Sequence, residues 1–186
     1  MYSKNTNLME KRKLSVFDLD GTLVDTPIAS PENKEKWADY HGKPWPYLGW
    51  WGRDESMDTD VWKIPVVEEV FNDYQKEVKN PETLMVLLTG RLKKQENIVR
   101  NIVNERGYQF DYYLFNTGGR TLNNKINHLN NLLNKYPDIR EVELWDDRTP
   151  HFETFEEWGQ KLIDVGRIDY FRLNKVKSDQ WDDFVE

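Results

Sequence analysis

The chain has 186 residues, enough for one domain with a normal core, and carries 33 acidic against 26 basic residues, a net charge of −7. That balance argues against a protein that coats nucleic acid, because such binding is driven by phosphate neutralisation, but it allows an enzyme that grips one phosphorylated end through a local basic patch. With no cysteine there is no disulfide, thiol nucleophile or zinc–thiolate site, and no apolar run approaches the roughly 20 residues a membrane helix needs. The stretch Met1 to Lys13 is polar and charged, unlike a signal peptide, so a cytoplasmic protein with no membrane partner is expected.

The first predicted element is a buried strand over Leu14–Phe17. Side chains alternate along a strand, so Asp18 and Asp20 leave its C-terminal tip on the same side, and Gly21 lets the backbone turn sharply. Two carboxylates held this close repel unless a cation or a proton lies between them. Asp18-Leu19-Asp20-Gly21-Thr22 therefore reads as a Mg²⁺ site with a carboxylate free to act as nucleophile. The plain alternative is a solvated turn.

Residues 27–62 break the alternation that follows. Pro31, Pro44 and Pro46 fall here, with four aromatic residues between Trp45 and Trp51 and few aliphatics. Ser30-Pro31-Glu32 is a helix-start signal and predicts a short helix over Glu32–Tyr40. The aromatic run reads in two ways: a mini-core packing the segment onto a sheet, or a platform in which Trp50 and Trp51 stack on a base.

Beyond it, helices are predicted at Val66–Val78, Lys93–Arg106, Leu122–Tyr136 and Thr149–Leu162, and strands at Thr83–Leu88, Tyr112–Phe115, Glu141–Trp145 and Asp169–Leu173. Ile98, Ile102 and Val103 share one helix face, as do Ile126, Leu129, Leu132 and Leu133. Gly107 and Pro137 close two helices. The run Leu84–Leu88 suits a strand covered on both faces. Strand–helix alternation predicts an α/β fold, a Rossmann-like parallel sheet of about five strands with helices on both sides. Ligands of such folds bind beyond the carboxyl ends of the strands, where Asp18, Thr89 and Asp146 are expected. No repeat or linker divides the chain, so one domain over 1–186 is expected, with 27–62 as a small aromatic-rich flap or cap insertion. The acidic residues 179–186 read as a solvated end, and His41, His128 and His151 lack metal-ligand spacing.

Asp18-Leu19-Asp20-Gly21-Thr22-Leu23-Val24 resembles the first motif of the haloacid-dehalogenase-like (HAD) phosphotransferases. Three further segments resemble the other motifs in order: Leu87-Leu88-Thr89-Gly90-Arg91, then Lys125 after Gly118-Gly119-Arg120-Thr121, then Leu144-Trp145-Asp146-Asp147-Arg148. Leu88–Arg91 and Asp146–Thr149 look most like the phosphatase domain of phage polynucleotide kinase/phosphatase. Asp25-Thr26-Pro27 with Trp50, Trp51 and Trp62 resembles HAD domains of RNA repair. The resemblance implies that Asp18 attacks phosphorus, that Asp20 protonates the leaving oxygen and then activates water, and that Thr89 and Lys125 hold phosphate oxygens. It also implies one Mg²⁺ held by Asp18, Asp146 and the backbone carbonyl of Asp20. Asp147 either joins the metal shell or anchors Lys125. Arg120 is the competing candidate for the role of Lys125. Gly90, Arg91 and Arg148 flank these motifs; the two arginines either grip a second phosphate or pair with the excess carboxylates. In the family the insertion after the first motif carries a flap or cap. A 36-residue segment, 27 to 62, is too short for a full cap domain, which favours an open site and large substrates.

The expected activity is a Mg²⁺-dependent phosphatase acting on a phosphorylated nucleic-acid end, first a 3′-phosphate, or on a nucleotide. The alternatives are a 5′-nucleotidase, a small-metabolite phosphatase and a non-catalytic phosphate-binding protein. A receiver domain would carry its adjacent carboxylates on the first strand, and here they follow the fourth. Dehalogenation needs neither Asp20 nor metal.

Overall fold

The computed structural model describes residues 10–178; the acidic stretch 179–186 lies outside them. Five parallel strands form one sheet in the order β3-β2-β1-β4-β5: β1 (Lys13–Phe17), β2 (Thr83–Leu92), β3 (Tyr112–Asn116), β4 (Glu141–Asp146) and β5 (Tyr170–Lys175). Helices α1 (Pro31–His41), α2 (Glu68–Glu77), α3 (Glu96–Glu105), α4 (Thr121–Lys135) and α5 (Thr149–Asp164) connect them. The chain builds outward from β1 through β2 to β3, then returns to the other side of β1 for β4 and β5. Strand order thus reverses between β1 and β4, and the crevice above that switch point is where a ligand is received in a sheet of this kind.

Side-chain alternation sorts the core onto the two faces. Leu14 and Val16 of β1 join Val86, Leu88, Val142 and Leu144 under Leu129, Leu132 and Leu133 of α4 and Phe155 of α5. Phe17 faces the other way, with Leu87 and Trp145, under Val70 and Tyr74 of α2 and Val99, Ile102 and Val103 of α3. The Phe17 and Trp145 rings stack with centroids 4.3 Å apart.

Helix α1 starts as its residues dictate. The Ser30 side chain accepts a hydrogen bond from the Asn33 N–H at 3.1 Å, Pro31 opens the helix, and Gly42 ends it in the left-handed conformation. The aromatic residues of 27–62 continue the core on the α2/α3 face. Trp37, Trp50 and Trp62 are buried there, with Trp45 and Trp51 packed against them. Trp50 is 4% exposed, and its indole donates to the Pro27 carbonyl at 2.9 Å. Trp50 as a stacking platform is corrected by this burial: it offers no face to a base.

One strand boundary is also corrected. β2 runs four residues past Leu88, to Leu92, so Thr89, Gly90 and Arg91 lie inside the strand instead of beyond its end. Pairing with β3 shifts register between Leu88 and Leu92 and resumes at Leu92 opposite Asn116. An irregularity of this kind re-aims side chains, and here it lies beside the site.

Helix α5 packs on β5 through Gly159, where a Cβ would stand 2.2 Å from the Phe171 ring. Gly159→Ala is expected to destabilise the fold by about 1–3 kcal/mol, the range for overpacking. Thermal denaturation of the variant measures it, and Gly166→Ala, whose Cβ meets no atom within 4 Å but whose φ is +71°, controls for backbone strain alone.

Candidate active site

Asp18 follows β1, and its backbone N–H donates to the Trp145 carbonyl of β4 at 2.9 Å, so the two strands fix it at the switch point. Asp146 is the last residue of β4 and Asp147 the next. One carboxylate oxygen from each of Asp18, Asp146 and Asp147 lies within 4.8 Å of the others, and all three residues are buried. Hard oxygen donors at this spacing suit a small divalent cation.

Lys125 enters this cluster from the second turn of α4. Its ammonium donates to Asp18 Oδ1 at 2.8 Å and to Asp146 Oδ2 at 2.6 Å, and the side chain is buried. Burial by itself would lower the Lys125 ammonium, but Asp146 and Asp18 hold it above the ordinary lysine value. Burial raises the Asp18 carboxyl well above its usual range. Lys125 pulls the other way, while Asp146 and Asp147 add to the rise. Of the two roles the sequence leaves open for Asp147, anchoring Lys125 is not seen, since the ammonium bonds Asp18 and Asp146. Asp147 instead accepts from the Thr22 hydroxyl at 3.5 Å. Arg120 is exposed at the start of α4, away from this cluster of buried groups.

The turn that carries Asp20 needs glycine at position 21. Gly21 has φ +68°, and a Cβ there would lie 2.2 Å from Asp147 Oδ2. The Asp20 carboxylate does not join the other three. It takes the Arg91 guanidinium, with Nε at 3.1 and 3.0 Å from its two oxygens and Nη2 at 2.7 Å from Oδ1, and it accepts from the Thr26 hydroxyl at 2.7 Å. The Asp20 side chain is thus engaged away from the cluster of the other three. Arg91 spends its remaining donor, Nη1, on the Trp51 carbonyl at 2.8 Å and Ser56 Oγ at 2.6 Å.

Arg91 as a grip for a second phosphate is corrected by these contacts: it is buried, and its guanidinium is committed to Asp20 and to the 51–56 segment. Trp51 is half-buried, with that guanidinium 5.2 Å from its ring centre. Thr89 is buried, and its hydroxyl accepts from the Arg91 N–H at 3.1 Å. Gly90 gives room to α4, since a Cβ would meet Thr121 Cγ2 at 2.7 Å. Arg148 is half-buried before α5, its N–H donating to Asp146 Oδ1 at 2.9 Å. Sequence reasoning missed Ser56 and the hydroxyl of Thr26 as supports of Asp20. Thr26 is six positions from Asp20 and so within local reach, whereas Ser56 connects to Asp20 only through Arg91, 71 positions from Asp20 and 35 from Ser56.

The sequence profile described as HAD domain family 1 in Swiss Army Knife RNA repair proteins matches residues 47–180. The chain belongs to this HAD family. The match begins after Asp18–Val24 and does not cover that segment. Solved HAD structures share the fold. One is the HAD domain of effector protein Lem4 from Legionella pneumophila, 17% identical, TM-score 0.52, covering 93% of this chain and 90% of that one. Another is a chain of the Pnkp1/Rnl/Hen1 complex, 18% identical, TM-score 0.57, covering 97% of this chain and 52% of that one, so this HAD chain spans about half its length. A third is a haloacid dehalogenase-like hydrolase from Streptococcus pneumoniae, 15% identical, TM-score 0.51, covering 88% and 94%.

The histidines of this HAD domain keep structural surroundings. His41 pairs with Asp58 at 2.8 Å, and a ring nitrogen of His128 lies 2.9 Å from the Phe115 carbonyl. His151 is buried in the first turn of α5, and burial, then Lys125, lowers it to about 4. Its folded-state value lies below the unfolded value of about 6.5, so the unfolded chain binds the extra proton first. Stability contributed by the neutral ring is present above pH 6.5 and is lost as pH falls toward 4. His151→Phe is expected to flatten the fall in melting temperature between pH 6.5 and 4, measured by circular dichroism.

Proposed function

We propose that this HAD domain is a phosphoric monoester hydrolase acting through an aspartyl-phosphate. The observation that carries the reading is the buried cluster of Asp18, Asp146 and Asp147 around Lys125, with Asp20 beside it but held separately. Asp18, Asp146 and Asp147, with the Asp20 carbonyl, are suited to hold Mg²⁺, which would neutralise phosphate charge and keep Asp18 ionised.

The chain's own residues then do the following. An Asp18 oxygen forms a bond to phosphorus while the bond from phosphorus to the leaving oxygen breaks. Asp20 gives its proton to that oxygen, releasing an alcohol. A water molecule next yields a proton to Asp20 and its oxygen bonds to phosphorus. The acyl-phosphate bond to Asp18 breaks, and inorganic phosphate leaves with both residues restored. Lys125 neutralises phosphate oxygens and restrains Asp18, and the Thr89 hydroxyl donates to a further oxygen. Arg91 and Thr26 hold Asp20 in place, a fixed geometry of the kind proton transfer requires.

For substrate we propose a phosphorylated nucleic-acid end, a 3′-phosphate first, or a nucleotide. The RNA-repair family supports it, as does a 36-residue insertion, too short for a full cap domain, whose tryptophans pack into or against the core. The net charge of −7 favours gripping few nucleotides, with a shallow salt dependence. The absence of cysteine suits the cytoplasm, and no described helix is long and apolar enough to cross a membrane.

Asp18→Asn should lower turnover of an aryl phosphate by several orders of magnitude while the fold survives, and chelation with EDTA should abolish it reversibly. Near-normal activity in either case rejects the mechanism. Asp20→Asn should cost more on alkyl than on aryl phosphates, since a poor leaving group depends most on its proton. Equal losses would remove Asp20 from the acid role. A panel of 3′- and 5′-phosphorylated oligonucleotides, mononucleotides, sugar phosphates and phosphopeptides, each with and without Mg²⁺, reads the substrate class.

A further inference from the structure

A cavity of about 610 Å³ adjoins the loop that carries Asp20, within the roughly 300–1,000 Å³ range of small-ligand pockets. Its wall begins at Gly21, runs through Asp25–Ile28, and is completed by residues 62–67, where the chain returns from the insertion, and by Lys177 and Ser178 after β5. The cavity therefore shares Thr26 with the acid's support, because the Thr26 hydroxyl donates to Asp20 Oδ1 at 2.7 Å. In an in-line displacement the leaving oxygen departs on the side away from Asp18 and within reach of Asp20. The cavity's lining holds none of Asp18, Asp20, Thr89, Lys125, Asp146 and Asp147, and it meets the site on the Asp20 side, at Gly21 and Thr26.

The lining has the chemistry of a site for a base and a phosphate. Pro27, Ile28, Trp62 and Pro65 present apolar surface. Trp62 is 8% exposed, and its indole N–H has no acceptor among the described residues. Lys63 and Lys177 are exposed, and among the described residues neither ammonium forms an ion pair. With Asp25 as the one carboxylate of the lining, two positive charges face one negative charge in a chain whose net charge is −7.

The wall is also preformed. Ile64, a β-branched residue, is held at φ +46°, a conformation such residues rarely adopt. The Arg106 guanidinium bonds the Ile64 carbonyl and, at 2.7 Å, the Lys63 carbonyl. The Asp25 N–H donates to the Pro65 carbonyl at 2.8 Å and the Val67 N–H to the Leu23 carbonyl at 3.1 Å, tying the wall to the catalytic loop. Strained backbone retained beside a cavity and braced from outside is what a fixed ligand wall requires.

From these observations we infer that the cavity seats the nucleoside bearing the scissile phosphate, with Lys63 and Lys177 holding the next phosphodiester along the strand. The inference rests on the phosphatase reading above and sharpens it. The smallest good substrate is a dinucleotide with a terminal phosphate, and a phosphorylated mononucleoside, which lacks the phosphodiester, is poorer.

Two measurements test this, one of them independent of turnover. The first titrates the full chain with a dinucleoside monophosphate that has no terminal phosphate, read by tryptophan fluorescence. Binding should weaken about tenfold in Lys63→Ala and in Lys177→Ala, and the double variant should lose the salt dependence, whose slope for a ligand with one phosphate is about one at most. The second compares KM for a 3′-phosphorylated dinucleotide and for an aryl phosphate. Both lysine variants should raise the first about tenfold and leave the second, and kcat, unchanged. Aryl phosphate turnover with no dinucleoside binding, or with equal KM changes on both substrates, overturns the cavity assignment and leaves the phosphatase reading standing. Dinucleoside binding that depends on both lysines, without hydrolysis of any phosphate ester, supports the cavity and overturns the phosphatase.

Discussion

Three buried carboxylates converging at the ends of two adjacent strands would drive those strands apart if nothing neutralised them, and the Lys125 ammonium lies between two of them. Everything else about the site follows from that balance. Strands β1 and β4 must be neighbours for Asp18, Asp146 and Asp147 to meet, which the 3-2-1-4-5 order provides. Helix α4 must start close above β2 for its second turn to deliver Lys125, and the missing side chain at Gly90 leaves the space. The charges also set the proton affinity of Asp18, which burial and its carboxylate neighbours raise against the pull of Lys125.

A second arrangement separates Asp20 from this cluster. Its carboxylate is two residues from Asp18, yet the Arg91 guanidinium and the Thr26 hydroxyl draw it to the other side of the loop. The separation matters because two carboxylates given one environment would compete for the same cation. Here the two carboxylates have different environments, one beside Lys125 and one beside Arg91. Arg91 also bonds the Trp51 carbonyl and Ser56, so the insertion that looks peripheral in sequence braces the acid from behind. Its tryptophans serve that purpose by packing 27–62 rigidly onto the α2/α3 face of the sheet.

The strained return of this insertion at Ile64 gives the segment a second consequence. Its far end is hydrogen-bonded both to the loop that carries Asp20 and to Arg106 at the end of α3. Lys63 and Lys177 line the neighbouring cavity together with Gly21, the residue after Asp20.

Much of this was legible in the residues. Alternation of apolar runs with helical patterns gave the α/β class, because periods of 2 and 3.6 report which faces are buried. Asp18-Leu19-Asp20-Gly21 and Asp146-Asp147 declared themselves by following buried strands, and Ser30-Pro31 marked the start of α1. Three matters were decided by tertiary structure alone. Arg91 became a brace for Asp20 because β2 continues through it and the 51–56 segment meets it in space; a guanidinium next to a motif has no preferred partner until burial selects one. Trp50 entered the core because the insertion folds down onto the sheet, whereas an aromatic run has the same composition whether it is packed or displayed. Asp147 does not anchor Lys125, because the ammonium that α4 delivers reaches Asp18 and Asp146, and which carboxylates a helix meets depends on how it packs on the sheet. Local periodicity fixes what a residue can be, while pairing between distant charges depends on distances that exist only once the sheet has formed.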